Sequence, residues 1–298
     1  GSGKTKTLTH RIAYLIDSHK ASPFNILAVT FTNKAANEMR QRLAGLLGHD
    51  ANDRNFLPFM GTFHSICVRI LRRDSHYMGI PANFVIFDEA DRLAAIKQIC
   101  RSNKIDEKAY PARQIASMIS SAKNELVLPK DYEASGSSPL ARIVADVYPA
   151  YERSLKEASA LDFDDLIAKT VRLLENHEEV RGRWQAQFSY VLIDEYQDTN
   201  AAQYKLVKLL LGDHRNIAVV GDDWQSIYSW RGADFRNILR FEKDYPNSTV
   251  IKLEQNYRST KHILDGAHAV ITKNAQRSDK KLWTALGDGM PIQILSAH

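Results

Sequence analysis

Cysteine is scarce. Cys67 and Cys100 are the only two in 298 residues, too few for a disulfide framework or a zinc cluster. Long apolar runs are absent as well. None approaches the ~18 residues of a membrane-crossing helix, so no membrane partner is expected. The first residues, Gly-Ser-Gly-Lys-Thr, are not a basic stretch followed by an apolar one, which argues against a secretory leader. Neither sign of charge dominates: 40 Lys+Arg against 35 Asp+Glu give a formal net charge of +5. That balance permits a nucleic-acid partner without demanding one. Internal repeats and low-complexity tracts are missing too. What is present is ordinary globular composition, 44% hydrophobic and 25% charged, which excludes disorder, collagen and coiled coil. A cytoplasmic, mildly basic chain of about two domains is expected.

The pattern along the chain changes twice. Lys4 to Asp17 places Leu8, Ile12, Leu15 and Ile16 on one helical face. Ile26-Leu27-Ala28-Val29-Thr30 is a short apolar run, as expected of a buried parallel strand. A polar turn and a helix to about Leu47 follow. This opening predicts an α/β architecture with a parallel sheet. From 81 to 176 helical patterns dominate, over 89–101, 111–124, 139–157 and 165–174, which predicts an all-helical insertion. Alternation then returns. Strands are expected at 190–193, 217–220 and 250–253, and helices at 201–211, 235–244 and from about Ser259. The two cysteines lie in apolar helical patterns and read as inert buried thiols.

Gly3-Lys4-Thr5, at the start of a helix, is the tail of the phosphate-binding pattern G-x-x-x-x-G-K-[ST]. The glycines let backbone N–H groups approach phosphate, and the helix N-terminus adds partial positive charge. In that pattern the lysine reaches the β- and γ-phosphates and the Thr hydroxyl ligates Mg²⁺. The first glycine of the pattern and its strand are not in the chain. A Gly/Ser linker ahead of a lysine is the competing reading of these five residues.

A phosphate-loop ATPase also needs a strand that ends in an acidic residue to hold Mg²⁺, with a Glu to polarise water. Two segments qualify. Phe84-Val85-Ile86-Phe87 runs into Asp88-Glu89-Ala90-Asp91, and Tyr190-Val191-Leu192-Ile193 runs into Asp194-Glu195-Tyr196-Gln197-Asp198. The second is preferred. After Asp91 the chain enters the helical insertion, with no neighbouring strand expected, so Asp88 and Asp91 read as N-cap and N3 of a helix. After Asp198 come a helix and another strand, ending in Gly221-Asp222-Asp223-Trp224-Gln225. A glutamine there could sense a γ-phosphate.

Taken together, the chain resembles the superfamily 1 DNA helicases of the UvrD/Rep/PcrA type. Six segments match in the family's order: residues 1–5; Ala-Val-Thr-Phe-Thr-Asn-Lys-Ala-Ala at 28–36; Gly-Thr-Phe-His-Ser at 61–65; Leu-Ile-Asp-Glu-Tyr-Gln-Asp-Thr-Asn at 192–200; Val-Gly-Asp-Asp-Trp-Gln-Ser-Ile-Tyr-Ser-Trp-Arg-Gly at 220–232; and Leu-Glu-Gln-Asn-Tyr-Arg-Ser-Thr at 253–260. The resemblance implies a RecA-like P-loop NTPase domain with a parallel sheet, formed by 1–80 and 177–256. It also implies a helical insertion subdomain at 81–176 and the start of a second RecA-like domain at 257–298.

The resemblance further implies an ATP-dependent single-stranded DNA translocase and helicase, 3′-to-5′, using ATP and Mg²⁺ in repair or replication. Gly1, Ser2, Gly3, Lys4 and Thr5 would hold the triphosphate, and Thr5 and Asp194 the Mg²⁺. Glu195 would be the general base, and Gln225 would contact the γ-phosphate. Tyr257 would stack on adenine and Arg258 would act as a cationic finger. Single-stranded and duplex-junction DNA would meet Phe31, Asn33, Lys34, Thr62, Phe63, His64, Tyr228, Trp230 and Arg231, aromatics for bases and polar or basic groups for phosphates. Core packing is the competing reading of Phe63 and Tyr228, and a structural hydrogen bond that of His64.

Lys6, Trp224 and Ser229 depart from the usual family residues without removing a catalytic group. Both ends read as cut, which predicts an N-terminal fragment. The family's adenine-reading Gln would precede Gly1, and a further arginine would follow His298. Two alternatives stay open: a nucleotide- or DNA-binding fragment without turnover, and the helicase part of a helicase–nuclease.

Overall fold

The computed structural model describes residues 2–53, 55–132, 138–229, 232–275 and 277–293. In chain order its helices are α1 (Lys4–Asp17), α2 (Asn33–Leu47), α3 (Phe63–Asp74), α4 (Glu89–Ser102), α5 (Ala112–Asn124), α6 (Pro139–Glu157), α7 (Phe163–Asn176), α8 (Glu178–Gln187), α9 (Ala201–Leu210), α10 (Arg236–Leu239), α11 (Phe241–Asp244) and α12 (Lys261–Ile271). Its strands are β1 (Ile26–Thr30), β2 (Met60–Thr62), β3 (Val85–Phe87), β4 (Ala160–Asp162), β5 (Tyr190–Ile193) and β6 (Ile217–Val219).

The main sheet is parallel, with four strands in the order β2-β1-β5-β6. All five residues of β1 are buried, and alternation along the strand explains why. Ile26 and Ala28 face a cluster with Leu8, Ile12 and Leu15 of α1 and Met39 and Leu43 of α2. Leu27 and Val29 face the opposite cluster, built from α3, α7, α8 and α9. A strand covered on both sides has no polar face, so its sequence is a continuous apolar run.

The register sets the strand ends level. Val29 lies opposite Gly61 and Ile193, and Ile193 opposite Val219. Phe31, Phe63, Asp194 and Gly221 therefore follow at or just beyond one edge of the sheet, where parallel α/β sheets bind ligands.

Helices α4, α5 and α6 enclose a separate core that includes Ile96, Cys100, Ile115, Ile119, Val144, Val147 and Tyr151. Helix α7 does not belong to it. Leu166, Ile167, Val171, Leu173 and Leu174 pack into the main cluster with α3 and α9. The self-contained helical core thus closes near Ala160, short of the expected boundary at 176. Both cysteines are buried, and burial pushes the Cys67 thiol up to about 12.

Three local expectations need correction. The segment after Phe84 does have a neighbouring strand: β3 pairs in parallel with β4, which the sequence reading missed because β4 is only three residues long. Residues 250–253 form no strand. Val250 and Ile251 are exposed, and the nearest pairing among the described residues is a single bridge from Gln255 to Trp283. A strand without a neighbour has nowhere to place its ladder of hydrogen bonds. The helix expected over 235–244 is split at Arg240 into α10 and α11. Each half has its own anchor: the Asn237 amide donates to the Thr199 carbonyl at 2.9 Å, and Asp244 accepts from the Tyr204 hydroxyl at 2.5 Å. Among the described residues no helix is long and apolar enough to cross a membrane.

Candidate nucleotide site and nucleic-acid interface

Gly3 caps α1 in the left-handed region, at φ 85°, a conformation that costs glycine nothing. It turns the chain so that Lys4 and Thr5 open the helix beside the carboxyl end of β5. The Thr5 hydroxyl donates to Asp194 Oδ2 at 3.0 Å. The Lys4 ammonium lies 3.5 Å from Asp222 Oδ2, just beyond β6. Burial, reinforced by the adjacent Glu195, raises the Asp194 carboxyl above its ordinary value. A cation beside Asp194 would relieve that charge.

Glu195 occupies the left-handed region, at φ 50° and ψ 46°, which costs a non-glycine residue roughly 1–2 kcal/mol. Its surroundings hold it there. The Gln197 amide Nε2 donates to Glu195 Oε2 and to Asp198 Oδ2, each at 3.0 Å. Gln197 Oε1 accepts the backbone N–H of Asp222 at 2.9 Å. This buried glutamine therefore ties the end of β5 to the turn after β6. Gly221 makes the approach possible, because a Cβ there would stand 2.5 Å from Gln197 Oε1. Burial and Glu195 raise Asp198 to about 6, against hydrogen bonds from Gln197 and Ser226. Gln225 Nε2 donates to Asp222 Oδ2 at 2.6 Å.

The structure thus gathers Lys4, Thr5, Asp194, Glu195 and Gln225 around two strand ends. Tyr257 and Arg258 stand apart on an exposed segment. The Tyr257 hydroxyl donates to Gln255 at 2.8 Å, and the residue is 64% exposed. Ser2 is half-buried just ahead of the cap. Gly1 lies outside the described residues. The competing acidic box is a helix cap: Asp88 Oδ1 accepts from the backbone N–H groups of Ala90 and Asp91 at 2.7 and 2.9 Å, and the Asp91 carboxylate accepts the Asp88 N–H in return.

On the other candidate surface, Phe31 and Tyr228 bring their ring centroids within 5.1 Å. Asn33 and Lys34 are exposed in the first turn of α2. Phe63 is a correction. It is 5% exposed and packs in the main cluster, so it has no face to offer a base. Thr62 caps α3, accepting from the Ser65 N–H at 3.3 Å. His64 lies against Phe163, with centroids 5.7 Å apart, and burial lowers its pKa. Trp230 and Arg231 lie outside the described residues.

Gln197, Asp222 and Phe163 were missed in the sequence. Gln197 and Asp222 lie inside matched motifs but carry no sign of their mutual bond. Phe163, the first residue of α7, is 52% exposed. An aromatic directly before Asp164 and Asp165 was the available signal.

Comparison with known proteins adds one decisive match. The profile of the UvrD/REP helicase N-terminal domain covers residues 1–246. The chain belongs to this family. Two curated UvrD/REP relatives named ATP-dependent DNA helicase PcrA show how close the likeness is. That of Staphylococcus epidermidis (strain ATCC 35984) is 52% identical over 297 residues, covering 100% of this chain and 40% of the relative. That of Staphylococcus aureus (strain Mu50) is 51% identical with the same coverage. The chain therefore spans 40% of the length of these UvrD/REP relatives.

Proposed function

We propose that the protein carrying this chain hydrolyses ATP with Mg²⁺ to move 3′-to-5′ along single-stranded DNA and unwind duplexes, acting in the cytoplasm in repair or replication. The observation that carries the reading is the meeting of Thr5 with Asp194 at 3.0 Å, with Lys4 and Glu195 beside them. Lys4 and the backbone after Gly3 would hold the β- and γ-phosphates. The Thr5 hydroxyl and the Asp194 carboxylate are hard oxygen donors, and they fit Mg²⁺, which takes few protein ligands and keeps phosphate and water. When bound, the ion neutralises charge on the phosphates.

Glu195 takes a proton from the attacking water, oriented by the Gln197 amide. Gln225 reports the γ-phosphate to the turn after β6. Tyr257 and Arg258, exposed on their segment, close onto adenine and phosphate. Phe31, Tyr228 and Trp230 stack on bases, with Phe163 added beside His64. Asn33, Lys34, Thr62 and Arg231 follow phosphates. The domain reading goes with this: a RecA-like unit from the two flanking stretches, a helical insert centred on α4–α6, and a second unit beginning near Tyr257.

The test is steady-state ATP turnover of the intact protein with and without single-stranded DNA. Turnover should rise on adding DNA. In Glu195→Gln it should fall by roughly two to four orders of magnitude, the usual worth of an acid–base group, while ATP still binds. Undiminished turnover in that variant refutes the assignment of Glu195.

A further inference from the structure

Asp222 is shared by two lysines from opposite ends of the chain. The residue is 7% exposed. Oδ2 accepts from Gln225 Nε2 at 2.6 Å and from Lys4 Nζ at the longer distance of 3.5 Å. Oδ1 accepts from the Trp224 N–H at 3.1 Å and from the ammonium of Lys280. Lys280 also reaches Asp223 Oδ1 at 3.1 Å and lies 4.6 Å over the Trp224 ring. Its neighbour Ser278 donates to Asp223 through its backbone N–H and its hydroxyl, each at 2.6 Å. Trp224 Nε1 donates back to the Ser278 carbonyl at 3.2 Å. The segment 278–280 is therefore built onto the turn after β6.

We propose that Lys280 is a positioning residue that keeps Asp222 paired, so that Lys4 can leave it for the phosphates of ATP. This rests on the phosphate-site reading of Lys4. A nearly buried carboxylate stripped of its partner is strongly unfavourable. With Lys280 in place, departure of Lys4 leaves Asp222 with a cation still on Oδ1, shared with Asp223. Without it, Asp222 must hold Lys4 back. The coupling is reciprocal: nucleotide at Lys4 removes a competing cation from Asp222 and tightens the docking of 278–280 by the same factor. The longer Lys4 contact is the one that gives way. Through its own N–H, Asp222 also steadies Gln197 and hence Glu195.

The experiment is titration of the intact protein with a fluorescent ATP analogue and Mg²⁺. Lys280→Met and Lys280→Gln should raise Kd by about fivefold or more, within the usual span of such couplings. Lys280→Arg should stay within about twofold of the parent. In an Asp222→Asn background the Met substitution should lose its effect, since no charge remains to restrain Lys4. Parent-like binding by both Lys280→Met and Lys280→Gln overturns the proposal. So does equal weakening in the Asp222→Asn background, which would make Lys280 a purely structural tether. If the Met variant does not fold, the Gln variant decides. Lys4→Ala distinguishes the two levels: it should abolish binding, and parent-like binding there overturns the phosphate-site reading itself.

Discussion

The Thr5 hydroxyl donates to Asp194 at 3.0 Å, joining the first turn of α1 to the end of β5 across 189 positions of sequence. Two oxygens of the kind Mg²⁺ prefers thus stand side by side. Thr5→Val keeps the shape and removes the donor. It should weaken ATP binding about tenfold when Mg²⁺ is present, of the order lost with one hydrogen bond to a charged group. With EDTA in place of Mg²⁺ the variant and the parent should bind alike. Titrations in the two buffers check this, and equal weakening in both would mean that Thr5 does not act through the ion.

Phe63 and Tyr228 divide what the sequence left together. Phe63 is a core residue, so Phe63→Ala should cost about 3–5 kcal/mol of stability in urea unfolding. Tyr228, against Phe31, should cost about 1–3 kcal/mol of single-strand affinity when changed to Ala, measured by fluorescence anisotropy, with little loss of stability. A reversal of the two phenotypes would reassign both rings.

Asp198 supplies a pH dependence. Its carboxyl is raised to about 6 from 3.8, first by burial and then by Glu195. The folded state therefore favours the protonated acid. That contribution is full below the unfolded value and is lost as pH rises through about 6. Asp198→Asn should melt higher than the parent near pH 8. The difference should shrink on acidification through 6 and vanish near 4. Melting curves across this range decide it, and a difference independent of pH would locate the effect elsewhere.

Lys123 is the more deeply buried of two lysines in an acidic cluster, Lys169 being the other. Lys123 lies 2.7 Å from Glu152, 2.8 Å from Asp162 and 3.0 Å from Asp165. Against burial, these carboxylates hold its pKa well above the ordinary lysine value. They come from α6, β4 and α7, so the lysine pins the helical core to the main one. Lys123→Met leaves Asp162 without a cation among the described residues, Lys169 still reaching Glu152 and Asp165, and should cost about 3–5 kcal/mol in urea unfolding. A loss below about 1 kcal/mol, the worth of a solvated surface pair, would show that the cluster is not buried in solution.

Much of the framework was legible in the sequence. Helix α1, strand β1 and strand β5 stand at the residues their apolar spacing indicated. These elements are decided by short-range pattern: a 3.6-residue stripe, or a run buried on both faces. The Asp88 cap was legible for the same reason, since a capping box spans only four residues. The strand expected at 250–253 failed because its formation depends on a neighbour, which local pattern does not specify. Strand β4 escaped notice because three residues carry no period.

The sequence by itself determined the chemistry available: a glycine-lysine-threonine turn, an acidic pair after a strand, and aromatics among polar residues, all in one order. Only the tertiary structure decided which of these act together. It turned Phe63 inward and left Phe163 out. It placed Gln197 between Glu195 and Asp222, and it brought Lys280 to the carboxylate that also holds Lys4. The physical reason is range. Helix stripes and caps are set by residues within a turn or two of one another. The partners of a buried charge come from whichever distant segments pack over it, and only the packed chain brings those segments together.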